Sequence, residues 1–426
     1  MKGLGKITNY ELRITSLENI LLFLFLLLIP IQLGKHFWPE WSMVMGVRVD
    51  YLSPTLYLVD IVWGMWMGTR LITNWRKVLN FQNILMGLFV VLNVLVAGNR
   101  WVAVYRWVRI AQLALSYKFI KLKVHKVEKY LEWIIPCWII LETMLGMAQI
   151  VKGGSLQGIW YWLGERRFSY ASIGVAQISL LGQGLVRAYG TFSHPNSLAG
   201  FLLISLIYWI GNQKNFKFQI SNFKFSGMWW WVVVWMGVVG IIISGSRVVW
   251  LLAAGLAIVI LISNFKFQIS NYKKYLGMGL VGMGMVLIVL GMIGINYRIG
   301  DFVGGWDSDS VLKRITLNWL AMKMWKEHFL LGIGMGNFTS VLPEYIKGLS
   351  FYWWQPVHNI FLLWASETGM LGVLGVVWAG AMWWRKRMWS KWKMLIIAVV
   401  VTAMLDHYWL TLPQNSWLMV VMMAII

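Results

Sequence analysis

The stretch GMWWWVVVWMGVVGIIISGSRVVWLLAAGLAIVILIS, residues 227–263, decides the fold class, because it contains a single charged residue, Arg247. Two apolar runs, Gly227–Ile243 and Val248–Ser263, are joined by four residues, SGSR. Runs of this kind suit helices that cross a hydrocarbon layer, and a turn this short makes the two helices antiparallel neighbours. The pattern recurs outward in both directions. Candidate spans are Leu17–Leu33, Thr55–Gly68, Phe81–Gly98, Trp101–Ile120, Leu131–Ile150 and Asn196–Gly211 before the last pair is reached. Beyond Gly227–Ile243 and Val248–Ser263 they continue as Leu276–Ile295, Val357–Gly380, Met394–His407 and Leu412–Ile426. The expectation is an all-α, polytopic bundle of about 12 spans forming one integral membrane domain, 1–426.

Composition agrees. The chain of 426 residues is 59% hydrophobic and 13% charged, with a mean hydropathy of +0.65. A soluble domain of this length needs more polar surface than that. A β-barrel would show short alternating strands instead of continuous apolar runs. The net charge of +22 does not form one stripe or tail, so nucleic acid is not implied. Instead the basic residues alternate. With a cytoplasmic N-terminus, 22 of the 38 Lys and Arg fall in the inside segments, every one of which is basic. The positive-inside rule then puts both termini in the cytoplasm and makes 151–195 and 296–356 outer loops. The first run has no small-residue cleavage site after it and is read as a retained span. Cys137 allows no intrachain disulfide. Most of the 30 Trp flank spans, as interfacial anchors do. The octapeptide NFKFQISN occurs at 215–222 and again at 264–271, in expected cytoplasmic linkers, and no chemistry attaches to it.

Polar residues without an orientation role gather on the outer side. Arg187 precedes AYGTFSHPNSLAG, where His194 and Asn196 stand at the mouth of the sixth span. Arg187 is a candidate anion ligand with His194 as helper, the alternative being a capping cluster that merely opens the span. In SGSR, Ser244 and Ser246 can cap the following helix. Arg247 near that helix's N-terminus opposes the helix dipole, which suits an anion shared between guanidinium and backbone N–H groups. In the long outer loop, Ser308 or Asp309 can cap a surface helix with Leu312, Ile315, Trp319 and Met322 on one face, stopped by GIGMG at 332–336. Arg314 is near its start, while Lys313, Lys323 and Lys326 read as interface lysines. His358-Asn359 opens the tenth span, with Glu367, Gly369 and Gly372 along it, and Asp406-His407 closes the eleventh. An intramembrane Glu367 must be paired or protonated. A histidine sharing a side with three arginines is a candidate acid–base group. No metal set is expected. No H-x-x-x-H pair occurs, and Asp301, Asp307 and Asp309 read as a solvated acidic turn. There is no P-loop or nucleotide fingerprint, and GMGLVGMGM, 277–285, is a helix-packing stretch. Several arginines and a histidine beside a lipid phase suit a lipid-linked phosphate or pyrophosphate.

These pieces resemble the O-antigen ligase and O-antigen polymerase family of bacterial envelope glycosyltransferases. The resemblance rests on RAYGTFSHPNSLAG (187–200), SGSRVVWLL (244–252), Arg314 through GIGMGNF (332–338), HNIFLLWASETGMLG (358–372) and LDHYWLTLPQ (405–414). The most specific element is His-Asn, nine residues, Gly, two residues, Gly; Leu251 four residues after Arg247 fits the family's R-x-x-x-L. The region of resemblance is 187–414, and the first five spans are similar in hydropathy alone. The resemblance implies metal-independent, inverting transfer of a glycan from an undecaprenyl- or other polyprenyl-pyrophosphate carrier. The acceptor would be a hydroxyl on a lipid, a glycan or a protein, at the outer face of the cytoplasmic membrane, with no cofactor. Carried over by position, His358 is the base and Arg247, Arg314 and Arg187 hold pyrophosphate. His194, Asn196, Ser244, Ser246, Asn359, Glu367, Asp406 and His407 are expected in support. Polysaccharide polymerase and protein O-oligosaccharyltransferase are alternatives within the family. A membrane transporter of lipid-linked or other solutes is the alternative outside it.

Overall fold

The computed structural model describes residues 9–74, 81–180, 183–212, 225–265, 309–348, 353–385 and 392–426. The expected span 276–295, the first NFKFQISN copy and nearly all of the second lie outside these residues, as do Asp301, Asp307 and Ser308. What is described is mostly helical. The helices are α1 (Asn9–Leu27), α2 (Leu58–Asn74), α3 (Phe81–Val96), α4 (Arg100–Lys121), α5 (Val124–Lys152), α6 (Ile159–Trp162) and α7 (Pro195–Asn212). They continue with α8 (Phe225–Ile243), α9 (Arg247–Phe265), α10 (Asp309–Glu327), α11 (Phe338–Tyr345), α12 (Ile360–Arg385), α13 (Lys393–Leu405), α14 (Tyr408–Thr411) and α15 (Pro413–Ile425). Two of them, α5 and α12 through Trp383, are long and apolar enough to cross a membrane by length and composition. Shorter apolar segments lie at Thr15–Leu27, Ile84–Val96, Trp229–Ile243, Arg247–Ile258 and Lys393–Leu405.

Where ends differ from the sequence expectation, local chemistry explains it. The second span opens at Leu58, not Thr55, because Thr55–Tyr57 (β4) pairs antiparallel with Gly34–His36 (β1). The Asp60 carboxylate accepts the Tyr57 N–H at 3.0 Å and fixes the start of α2. Two further antiparallel hairpins, Met43–Val44 (β2) with Val47–Arg48 (β3) and Gln177–Leu180 (β5) with Gln183–Val186 (β6), sit in the expected outer loops. Pro195 begins α7 as its spacing predicts, since proline suits the first helical turn. The eleventh span ends at Leu405, so Asp406 and His407 lie in the connection to α14.

One apolar core runs through α1, α2, α5, α7, α13 and α15, with Trp66, Trp138, Trp409, Trp417 and Phe201 fully enclosed. Glu142 on α5 is also enclosed and binds the Thr191 N–H and hydroxyl, both at 2.8 Å, which ties α5 to the segment before α7. A smaller core joins α10, α11 and the head of α12 through Leu317, Leu320, Met324, Phe338 and Leu363. Of the face of α10 expected to meet lipid, Leu312, Ile315 and Trp319 are exposed and Met322 is half-buried. The opposite face of the same helix is a second apolar stripe that packs onto the protein.

Helix α12 is broken at Gly369, whose φ of 65° and ψ of −169° are outside the helical region. The break explains why α10 stops at Glu327, before GIGMG. The intervening turn delivers the Phe329 and Leu330 carbonyls to the N–H groups of Met370 (2.7 Å) and Leu371 (3.2 Å). In return the Ile333 and Gly334 N–H groups bond the Ser366 and Glu367 carbonyls at 3.0 and 3.1 Å. A broken helix within an apolar region is stable only if its freed backbone groups find partners, and this loop supplies them. Closeness is the condition for glycine here: a Cβ on Gly369 would stand 2.4 Å from the Leu330 carbonyl carbon.

Candidate active site

The site is assembled from chain segments far apart in sequence. Arg187 follows β6 and is almost enclosed, at 9% exposure. Its Nε donates to the Ser244 carbonyl at 2.6 Å and its Nη2 to Asn196 Oδ1 at 2.8 Å. One guanidinium thereby clamps the SGSR turn to the mouth of α7. The turn itself needs Gly245 at a φ of 66°. The Ser244 hydroxyl donates backward to the Ile241 carbonyl at 2.6 Å and accepts from the Ser246 N–H at 3.4 Å, so it closes α8 instead of capping α9. Ser246 is buried, and its carbonyl begins the α9 ladder by accepting from Trp250.

Asn196 passes the connection on. Its Nδ2 donates to Asp406 Oδ2 at 3.0 Å, while its own N–H donates to His194 Nδ1 at 3.1 Å. The other oxygen of Asp406 accepts the His407 N–H at 2.8 Å and lies 3.5 Å from His358 Nδ1. The His358 and His407 rings are 5.0 Å apart, and His407 Nδ1 is 2.7 Å from the Thr411 hydroxyl. Burial raises the Asp406 carboxyl, but the hydrogen bond and charge of His358, then His407 and His194, outweigh it and hold it well below the usual carboxylate range. Burial pulls His407 down to about 3 against the opposing pull of Asp406, so it is neutral near pH 7. Asn359 accepts from the Phe361 and Leu362 N–H groups at 3.0 and 3.1 Å, capping α12 and holding His358 just outside its first turn.

Of the two remaining arginines, Arg314 reaches the edge of this network and Arg247 follows the turn that Arg187 clamps. Arg314 Nη1 reaches the Leu405 carbonyl at 3.4 Å, one residue before Asp406. Arg247 is exposed at the start of α9, with no hydrogen bond or ion pair to any described residue. Glu367 does not join this group. It is enclosed, and its carboxylate accepts the Phe338 N–H at 3.2 Å, which fixes the glycine loop behind α12.

His358, Asp406 and His407 each offer a metal-type ligand atom within 4.8 Å of the others, a juxtaposition that the spacing of histidines in the sequence does not announce. Both Asp406 oxygens and His407 Nδ1 have hydrogen-bond partners in Asn196, the His407 N–H and Thr411, whereas His358 Nδ1 is buried without one, 3.5 Å from Asp406 Oδ1.

Beside the network lies a cavity of about 740 Å³. His194 and Thr411 form part of its wall, together with Tyr51, Arg106 and Arg109. Arg106 and Arg109 fall within the expected fourth span, Trp101–Ile120. Two arginines three residues apart on an apolar helix were the available signal, since such charges require partners. Arg109 has one in Asp60 at 2.5 Å, and Arg106 bonds the Tyr51 carbonyl.

Residues 232–377 match the family model of the O-antigen ligases. That family is a membrane-integral, glycosyltransferase-type group of lipopolysaccharide and polysaccharide biosynthesis. The matched stretch contains Arg247, Arg314, His358 and Asn359, whereas Arg187, His194, Asn196, Asp406 and His407 flank it. No curated protein matches the chain. Over residues 232–377, about a third of its length, the chain is similar to the O-antigen ligases, the family that its own motifs resemble.

Proposed function

We propose that the protein transfers a glycan from a polyprenyl-pyrophosphate carrier to an acceptor hydroxyl at the outer face of the cytoplasmic membrane, with both termini inside and about 12 crossings. The observation that carries this reading is the Asp406 carboxylate. It faces His358 on one side and, through Asn196, Arg187 on the other.

In the reaction the acceptor oxygen attacks the anomeric carbon, the bond from that carbon to the pyrophosphate oxygen breaks, and configuration inverts. His358 takes the acceptor proton on Nε2 while its Nδ1–H is directed to Asp406. The carboxylate sets the tautomer and stabilises the imidazolium as it forms. The leaving pyrophosphate gains charge as the bond breaks, and the Arg247 and Arg314 forks meet it. Arg187, with two donors committed to protein, adds positive charge and keeps Asn196 in place. No step calls for a metal, since cationic side chains take the role of stabilising the leaving group.

The test is transfer in vitro from a polyprenyl-pyrophosphate glycan to lipid, sugar and peptide hydroxyls. Normally folded His358→Ala and Arg247→Ala variants that work at the parental rate would overturn the reading. The acceptor class that is used separates ligase, polymerase and protein glycosylation.

A further inference from the structure

The cavity beside the network is not explained by donor chemistry. Its lining comes mostly from the first 200 residues, outside the matched domain, and its volume suits one or two sugar rings. Of its two lining acids, Asp50 is exposed with no side-chain hydrogen bond or ion pair to a described residue, and Glu165 is satisfied. Glu165 accepts from Gln149 Nε2 at 2.9 Å and from the Leu156 and Gln157 N–H groups at 2.7 and 2.5 Å. Among the cations, Arg109 is neutralised by Asp60, while Arg166 and Arg167 together outnumber Asp50. Both are exposed, line the cavity, and have no hydrogen bond or ion pair to any described residue. Arg166 acts electrostatically on His36, Tyr51 and Tyr189, which also line the cavity, and on the first two it opposes Asp50. Tyr105 and Tyr161 supply ring faces of the kind on which sugars rest. Continuity with the reaction centre runs through His194, bonded to Asn196, and Thr411, bonded to His407.

We propose that this cavity seats the acceptor, and that the acceptor's sugar head is anionic, bearing a phosphate or carboxylate held by Arg166 and Arg167. The assignment rests on the glycosyl-transfer reading for its name, but not for its test. The experiment is equilibrium binding of three fluorescent glycolipids to the full chain in nanodiscs: glucose 6-phosphate-headed, glucuronate-headed and glucose-headed. The parent should bind at least one anionic head at least tenfold tighter than the neutral head. Arg166→Ala/Arg167→Ala should abolish that preference, and Arg166→Lys/Arg167→Lys should keep part of it. Binding of a polyprenyl pyrophosphate should be the same in all three proteins. The phosphate and carboxylate arms identify which anion is read. Equal binding of neutral and anionic heads by the parent, or an unchanged preference in the alanine variant, overturns the assignment. Because binding needs no turnover, failure to transfer any glycan counts against the proposed reaction and leaves this result to be judged on its own.

Discussion

His358 and Asp406 set the chemistry at the scale of single residues. Removing a general base costs about 10²- to 10⁴-fold in rate. His358→Ala is therefore expected to lose at least 100-fold in single-turnover transfer, with donor affinity retained. Asp406→Asn keeps the shape and the hydrogen bond to Asn196 but removes the carboxylate. It should lower kcat with little change in donor KM, a split read from steady-state kinetics. Acid should also weaken the fold through His407. Its folded pKa of about 3 lies below its unfolded value of about 6.5, so between those values the unfolded chain binds the extra proton. Stability is full above pH 6.5 and falls as pH drops towards 3. Melting in detergent at pH 7 and pH 5 should show the loss, and His407→Gln should flatten the slope; an unchanged slope would count against this origin. Of this network, the sequence revealed the residues but not their bonds. Arg187 reads as an anion ligand when only its charge is visible, and as a clamp once its contacts with Ser244 and Asn196 are known. Glu367 looks like a site member from its place in the tenth span, yet its carboxylate is spent on the Phe338 N–H.

Helices and loops were legible to the extent that period and punctuation encode them. Pro195 opens α7, SGSR turns α8 into α9, and the exposed stripe of α10 is the one its spacing predicts. The break in α12 was not legible, because a glycine inside an apolar run reads equally as a packing position. Gly369→Ala tests the break. The backbone conformation alone costs a non-glycine residue about 1–3 kcal/mol, and the Cβ would also meet the Leu330 carbonyl group. A clear drop in melting temperature and in transfer is expected. Gly375 on the same helix has nothing within 4 Å of a built Cβ, so Gly375→Ala should melt within a degree or two of the parent. If both variants behave alike, the tether has no energetic weight.

For the whole molecule, the strongest regularity is the distribution of charge. Arg70 and Lys123, both on the expected inner side, converge on Glu18 at 2.5 Å each, so part of the basic excess there is built into packing. The proposed orientation is checked in intact cells with a membrane-impermeant maleimide, in a Cys137→Ser background. Lys347→Cys should be labelled and Lys121→Cys should not; the reverse pattern would invert the topology. Charge counting yields an expected orientation without a structure because it needs only loop composition, whereas the cavity needed distant segments to be brought together.

The exchange of backbone hydrogen bonds between 329–334 and 366–371 has one more consequence. Arg314 lies on the helix before this joint and His358 just ahead of the half-helix that enters it. The joint is made of peptide groups, so outside Gly332, Gly334 and Gly369, where a Cβ would collide, it is largely blind to side-chain identity. Substitutions at its other positions can accumulate while the spacing between the two reactive groups is inherited unchanged. A chimera that exchanges 309–372 as one block should remain competent, whereas one cut between Gly332 and Gly369 should not.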